Sequence, residues 1–418
     1  MKVLLLNQCF YPDVVSASQH LTDFAVGLAE QGHEVTVLAS RRGYDDASVR
    51  FSKRERWKGI DIIRLPVIGL GKETKWRRAL GFASFLIACV FRLLLLPKYD
   101  VVVGMTAPPL VSFIGTLFVK VKGGRFLYWV LDLNPDEAIA AGWLREDSFA
   151  AKFLEAVLSF TLRHAEKIIV LDRFMKERIL AKGVATEKIE IIPPWSHDDA
   201  VRFDAEGRRD FRALHDLTEK FVVMYSGNHS PCHPLDTLLA AADELRARSD
   251  VAFCFVGGGS QFVRVKNFAL ERGLKNVLCL PYQPLDRLSA SLSAADLHTV
   301  VMGDAFTGII HPCKIYNVLA IGSPFLYIGP DQSHVIDIVG HLGANDSARV
   351  AKHGAVDRVV SEILEAAQGA RTLQRANEII LAKRFSMGAL LPRMIESLES
   401  QPDVLPVCGS TAASHSTQ

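Results

Sequence analysis

The sequence predicts an α/β protein of two Rossmann-like, doubly wound parallel-sheet domains facing each other across a cleft. Three observations carry that expectation. Short, β-rich apolar runs alternate with helix-length segments. The alternation restarts halfway along the chain. A length of 418 residues suits two domains of ordinary size. In the first half, residues 3–6 read as a buried strand and 18–31 as a helix, and Gly32-His33 breaks the chain before a strand at 35–39. Further strands are expected at 60–65, 101–104, 126–130 and 168–171. The second half opens with a strand at 221–225, a helix at about 235–248 and a strand at 252–256. Strands at 277–280, 297–301 and 325–327 follow. Pro193-Pro194-Trp195 and the polar, charged stretch 196–220 read as the linker. This gives a first domain at 1–200, a second at 215–385 and a helix at 386–400. The Ser-, Thr-, Ala- and Pro-containing tail, 401–418, is expected to be disordered.

Composition narrows the function classes. With 49% hydrophobic and 22% charged residues the chain can build real cores, and a net charge of +2 speaks against a dedicated nucleic-acid binder. The charge is uneven: residues 41–98 hold 14 Lys/Arg against 5 Asp/Glu. The seven cysteines are dispersed without a C-x-x-C pair, which reads as reduced thiols in a cytoplasmic protein and gives no support to a zinc site. The N-terminal apolar run is short and broken by Asn7, Gln8 and Asp13, so it reads as a first strand rather than a signal peptide. Residues 79–97 are almost wholly apolar, but Arg92 interrupts them, at a cost of about 3 kcal/mol in a bilayer centre. Lys72, Lys75, Trp76, Arg77 and Arg78 precede this run. It reads either as an anchor lying on an anionic inner leaflet or as a buried helix beside a basic turn.

Residues 303–324 carry most of the chemistry. An apolar run ends in a small-residue loop, 303–308, followed by a helix-like segment from Pro312 to Ala320 and another apolar run. The loop therefore stands at a strand's carboxyl end, where free N–H groups at a helix start attract phosphate. Lys314 adds a positive charge, and Asn317, one turn on, offers a donor and an acceptor to a sugar hydroxyl. An ordinary βαβ turn has the same outline. Gly257 and Gly258 occupy an equivalent strand end. Asp132 ends the strand before 133 and reads as a cleft carboxylate or as a helix N-cap, since Asn134-Pro135 follows. Glu137 could pair with it or be a solvated first-turn charge.

Taken in order, these segments resemble the retaining glycosyltransferases of family 4, with the two-domain GT-B architecture. The resemblance runs through Tyr11-Pro12, Gln31-Gly32-His33-Glu34-Val35-Thr36-Val37, Ser226-Gly227-Asn228-His229, Val256-Gly257-Gly258-Gly259 and 303–324, and covers about residues 1–400. Thr106-Ala107-Pro108-Pro109, Asp132-Leu133-Asn134-Pro135-Asp136-Glu137 and Pro312-Cys313-Lys314-Ile315-Tyr316 are similar to the bacterial cell-surface polysaccharide transferases of the colanic acid fucosamine transferase type. The pattern departs in places. The family's two glutamates, eight positions apart, fall on Ile309 and Asn317, and its Arg and Lys facing the diphosphate fall on Asn228 and His233.

The resemblance implies transfer of a sugar from a nucleotide-diphosphate donor to a lipid-linked or polysaccharide acceptor at the inner membrane face, without a metal or other cofactor. On that reading the phosphates meet the Gly227 turn, Asn228, His233, Gly257, Gly258, the backbone at Thr307 and Gly308, and Lys314. Asn317 holds the ribose, and Asp132 with Glu137 orients donor sugar or acceptor. A nucleotide-sugar 2-epimerase-like isomerase and a non-catalytic protein with a decayed donor site are the alternatives; Ile309 and Asn228 argue for the latter.

Overall fold

The computed structural model describes residues 1–13, 15–44, 48–69, 75–196, 201–343, 348–369 and 376–400. The expected tail at 401–418 lies outside them, as does Lys72. The first sheet contains β1 (Lys2–Leu6), β2 (Glu34–Ser40), β3 (Arg54–Trp57), β4 (Ile60–Leu65), β5 (Val101–Gly104), β6 (Arg125–Trp129), β7 (Lys167–Val170) and β8 (Ile189–Ile191). Their order is β3-β4-β2-β1-β5-β6-β7-β8. All neighbours are parallel except β3, which pairs antiparallel with β4. The second sheet is wholly parallel and consists of β9 (Phe221–Asn228), β10 (Val251–Gly258), β11 (Val277–Leu280), β12 (Leu297–Val301), β13 (Phe325–Ile328) and β14 (Ala348–Ala351). Its order is β11-β10-β9-β12-β13-β14.

The patterns of the strands explain their places. Residues 3–6 are buried on both faces of the sheet, as a central parallel strand requires. Arg54-Glu55-Arg56-Trp57 keeps its charges at the sheet edge, where they oppose pairing with another chain. β3, β8 and β14 extend the strand series read from sequence. They escape the apolar pattern because they are short and carry charge.

Both sheets reverse direction once, between β1 and β5 and between β9 and β12. In open α/β sheets ligands bind at such switch points, outside the strands' carboxyl ends. In the second sheet that point lies between Asn228 and Gly303.

Helix Ser16–Glu30 buries Ser18, Leu21, Phe24, Ala25 and Leu28 along one stripe. Across it packs the C-terminal helix Met387–Glu399, whose Ile395 and Leu391 side chains stand 3.0 and 3.2 Å from where a Cβ on Gly27 would be. The helix expected at 386–400 thus completes the first domain after the chain has left the second. The two crossings between domains run side by side, bridging at Ser196 and Ser386, with the Ser196 N–H donating to the Phe385 carbonyl at 2.7 Å.

The charged stretch expected to be linker is largely structured. Helix Ala205–Leu214 docks on the second domain through Arg208 and Arg212, which grip the buried Asp296 at 2.6 and 3.0 Å. Asp296 also accepts the Val222 N–H at 2.8 Å. Its charges read as solvated from sequence because their partner is some eighty residues away.

Candidate functional site

The candidate site is built on glycines at the carboxyl ends of β9 and β10. Gly227 and Gly257 are register partners with φ of 135° and 133°. A Cβ on Gly257 would stand 2.1 Å from the Gly227 carbonyl oxygen, so no other residue fits there. Gly258 pairs with Asn228, and a Cβ on it would meet the Tyr282 ring at 2.9 Å. His229 ties the two turns together: its N–H donates to the Gly258 carbonyl at 2.7 Å, and its Nδ1 lies 3.0 Å from the Gly227 carbonyl.

Lys314 opens helix Lys314–Ala320 from the far side of the switch point. Its Nζ lies 3.6 Å from the centroid of the Tyr225 ring and 3.4 Å from where a Cβ on Gly227 would be. That ammonium is buried and has no hydrogen-bond partner among the described residues. Burial lowers its pKa to about 7. Its charge acts on its neighbours in turn. Burial, then Lys314, pushes His229 down to about 4 and His233 well below the usual histidine range.

His233 is therefore neutral and rests its Nδ1 on the Val301 carbonyl at 2.8 Å. Asn317 is half-buried one turn beyond Lys314, and its side chain makes no hydrogen bond among the described residues.

Thr307 and Gly308 stand elsewhere than the sequence suggests. The Thr307 hydroxyl donates to the Gln332 carbonyl at 3.0 Å, and its carbonyl accepts from Arg178 of the first domain at 2.6 Å. Gly308 (φ 69°) lies so close to the first domain that a Cβ would come 2.5 Å from the Phe174 carbonyl oxygen. This loop joins the domains, and its Gly308 face is covered.

Three further contacts cross the seam. The Leu133 N–H donates to the Ile309 carbonyl at 2.9 Å, with the Ile309 side chain buried in a hydrophobic cluster shared by both domains. Arg173 pairs with Asp337 at 2.8 Å. Asp172 caps helix Arg173–Ala181 through the Met175 N–H at 2.8 Å, and its other oxygen meets His311 Nδ1 at 2.7 Å. His311 Nε2 contacts the Tyr316 hydroxyl at 2.6 Å. Burial alone would raise Asp172, but the hydrogen bond and charge of His311, with His334 and the Met175 N–H, hold it at about 2.

Asp172, His311 and His334 are the one group of potential metal ligands found among the described residues, their atoms lying within 4.8 Å of one another. The two imidazoles stack at 3.6 Å with 20° between planes. Stacked rings aim their lone pairs along parallel planes rather than at one point, and Asp172 already accepts a hydrogen bond. The geometry serves a latch between domains better than coordination.

Facing this seam from the first domain are Asp132 and Glu137. Asp132 follows β6, and Glu137 lies in the short helix Asp136–Ala140. Glu137 accepts from Asn134 Nδ2 at 3.0 Å, and the Cys232 thiol of the second domain lies 3.9 Å from its other oxygen. Burial, then the Glu137 charge, pushes Asp132 far above the usual carboxylate range, to about 8. The N-cap reading of Asp132 fails, because helix Asp136–Ala140 has Pro135 at its cap without a side-chain hydrogen bond.

Sequence reasoning missed Cys232, Tyr225 and Asp172. None belongs to a spaced motif, and each matters through a partner on a distant element.

The fold agrees with what the chain is similar to. Residues 17–195 match the glycosyl transferase 4-like domain, and residues 208–304 match the glycosyl transferases group 1 domain. A protein of Escherichia coli K12 described as the colanic acid biosynthesis glycosyl transferase WcaI is 28% identical over 339 residues, covering 77% of this chain and 82% of its own. Among solved structures, sucrose-phosphate synthase from Thermosynechococcus elongatus superposes with a TM-score of 0.73 at 16% identity, covering 95% of this chain and 98% of its own. HepE of Anabaena, solved with UDP and glucose, gives 0.72 at 14% identity over 96% of this chain and all of its own. A glycosyl transferase 4-like domain and a glycosyl transferases group 1 domain thus follow one another along most of the chain, which is a glycosyltransferase with the GT-B fold.

Two pH effects follow from the site. Above pH 7 Lys314 is increasingly neutral, so any anion that pairs with it there must draw a proton onto it. UDP affinity should fall by up to about tenfold per pH unit between 7 and 9, and calorimetry in buffers of different ionisation enthalpy should show proton uptake. A flat profile, or uptake surviving in Lys314→Met, would remove that role.

Asp132 has the opposite sign. Its folded pKa exceeds its unfolded value, so the folded chain holds a proton between about pH 4 and 8 that the unfolded chain releases. Stability therefore falls as pH rises through that window. Asp132→Asn should raise Tm at pH 8 by roughly 2–4 °C, with the gap closing toward pH 4. An unchanged Tm at pH 8 would count against the buried carboxyl.

Proposed function

We propose that the protein transfers a sugar, with retention at the anomeric carbon, from a nucleoside-diphosphate donor to a lipid-linked or polysaccharide acceptor at the cytoplasmic face of the membrane. The observation that carries this reading is the Lys314 ammonium, buried beside Gly227 and Tyr225 without a hydrogen-bond partner among the described residues. A buried cation left unpaired is costly unless a ligand supplies the counter-charge. At a topological switch point, a diphosphate is the ligand that suits it.

In the proposed reaction Lys314 stabilises charge growing on the leaving diphosphate, so no divalent ion is called for. Asn317 holds the ribose, and the glycines at Gly227, Gly257 and Gly258 let backbone approach the phosphates. The departing phosphate takes the acceptor's proton on the face it leaves. Asp132 and Glu137 orient the sugar or the acceptor hydroxyl from across the cleft. They supply carboxylates to a cleft where position 309 holds an isoleucine. The HepE structure with UDP and glucose lends the nucleotide class support.

Helix Lys75–Leu94 supports a membrane-near acceptor. It leaves Ile87, Phe91 and Leu94 exposed, at 58%, 66% and 62%, an apolar stripe that water does not favour. Among the described residues no helix is long and apolar enough to cross a membrane. The contact proposed is a surface one.

Lys314→Ala should weaken UDP or GDP binding by about 10- to 100-fold, the loss of a charge-assisted contact, while circular dichroism stays unchanged. If a panel of nucleotide-sugars shows neither binding nor nucleotide release with lipid extract, the transferase reading fails. Sedimentation with vesicles of anionic lipid should carry down the wild type, and Phe91→Ser with Leu94→Ser should leave it in the supernatant. Equal sedimentation would detach this helix from the membrane.

A further inference from the structure

Helix Arg173–Ala181 runs along the seam, and one of its faces touches both halves of the candidate site. Phe174, Arg178 and Lys182 follow one another at i, i+4 and i+8, which sets them on one stripe. The stripe begins where the Phe174 carbonyl closes over Gly308. One turn on, Arg178 Nε donates to the Thr307 carbonyl at 2.6 Å, and its Nη1 lies 3.9 Å from Asp136 Oδ1. A turn further, Lys182 Nζ stands 3.1 Å from Asp136 Oδ2 and 3.0 Å from Glu155 Oε1.

Asp136 is the first residue of helix Asp136–Ala140, and Glu137 is the second. That helix packs against the turn Asp304–Phe306 of the second domain. The Arg178 guanidinium therefore has one edge on the loop that leads to Lys314 and another on the helix that carries Glu137. A planar guanidinium can do this because its N–H groups leave in fixed, divergent directions, which an ammonium does not offer. The other seam contacts divide the work differently. The Leu133–Ile309 bond fixes the chain before Pro135, whereas Arg178 fixes the helix after it. Arg173 also crosses between domains, but its partners Asp337 and Glu177 belong to neither half of the site. A partly exposed ion pair at 3.9 Å adds little stability. What the guanidinium supplies is a fixed spacing.

Resting on the transferase reading above, we infer that Arg178 is a positioning residue of the reaction, one that sets the Asp132–Glu137 carboxylates in register with Lys314 across the cleft. In this role it acts through Asp136 and Thr307 rather than on donor or acceptor. With the guanidinium removed, Asp136 keeps Lys182, and the loop keeps its contacts with Phe174, Leu133 and Asp172. The domains stay joined and Lys314 stays beside Gly227. The alignment of the two carboxylates is what goes, and a misplacement of about 1 Å in such a group costs up to about 100-fold in rate. Nucleotide binding, which draws on the lysine, is spared.

The test compares Arg178→Met, Asp136→Asn, the double variant and Arg173→Met, the last as a control that also cuts a contact across the seam. Each is assayed for nucleotide release from whichever nucleotide-sugar of the panel above supports it with lipid extract. UDP or GDP affinity by calorimetry and hydrogen exchange are measured on the same samples. Arg178→Met should lower kcat by about 10- to 100-fold, leave nucleoside-diphosphate affinity nearly unchanged and speed exchange in peptides covering 132–140. The double variant should lose no more than the worse single one, as expected of two groups acting through one contact. Arg173→Met should keep the wild-type kcat. An unchanged kcat in Arg178→Met, an equal loss in Arg173→Met, additive losses in the double variant, or a fall in affinity matching the fall in kcat would each overturn the inference. Those results leave the transferase reading standing, whereas a wild type that releases nucleotide from no member of the panel sinks both.

Discussion

A protonated lysine removed from water is among the more expensive things a protein can hold, and the candidate site of this protein is arranged around one. The Lys314 ammonium is covered by the Tyr225 ring and the Gly227 turn, and among the described residues no carboxylate pairs with it. The cation–π contact offsets part of the lost hydration. The rest appears as the depressed pKa. Much of the local geometry follows from admitting that side chain. Gly227 and Gly257 let two strand ends approach within a distance no Cβ allows, and the two histidines nearby are kept neutral, which spares a second buried cation.

The same segment that delivers Lys314 also joins the domains. Within residues 307–311, Thr307 is held by Arg178, Gly308 lies against Phe174, Ile309 accepts from Leu133 and His311 meets Asp172. The first domain therefore fixes where the helix carrying Lys314 begins. A change in how the domains approach each other would move the ammonium, and a ligand that draws on the ammonium acts on the seam. Coupling of this kind needs no long pathway, because the contacts are consecutive along one stretch of chain.

Much of this fold was legible in the sequence, and the reason is physical. Parallel strands buried on both faces leave continuous apolar runs, so β1, β2, β5 and β9 to β13 announce themselves. β3, with its charged edge, and β8, with three residues, do not. Helix Ala205–Leu214 looked like linker because its charges are neutralised by Asp296, which no local pattern reveals. In the candidate site, Lys314, Asn317 and the strand-end glycines could be singled out because the βαβ pattern places strand carboxyl ends and helix starts at particular points of the chain. Thr307 and Gly308 belong to the right loop but face the first domain, and a sequence says nothing about what covers a loop. Cys232 and Asp172 became visible only when the two halves were brought together.

Two buried groups of the site are shifted in opposite directions. Lys314 is pushed down toward neutrality and Asp132 up toward it. An ion pair between them would have done the reverse, raising the lysine and lowering the acid. Each is instead desolvated in its own pocket, Lys314 against Tyr225 of the second domain and Asp132 beside Glu137 of the first. Folding alone gains nothing from this, since both groups would be more stable charged in water. The arrangement acquires a purpose when an anion meets the lysine and a hydroxyl-bearing molecule meets the carboxyl. In the proposed reaction the two groups would act on opposite ends of one bond being broken: the lysine on the diphosphate that leaves, the carboxyl on the sugar or acceptor that stays.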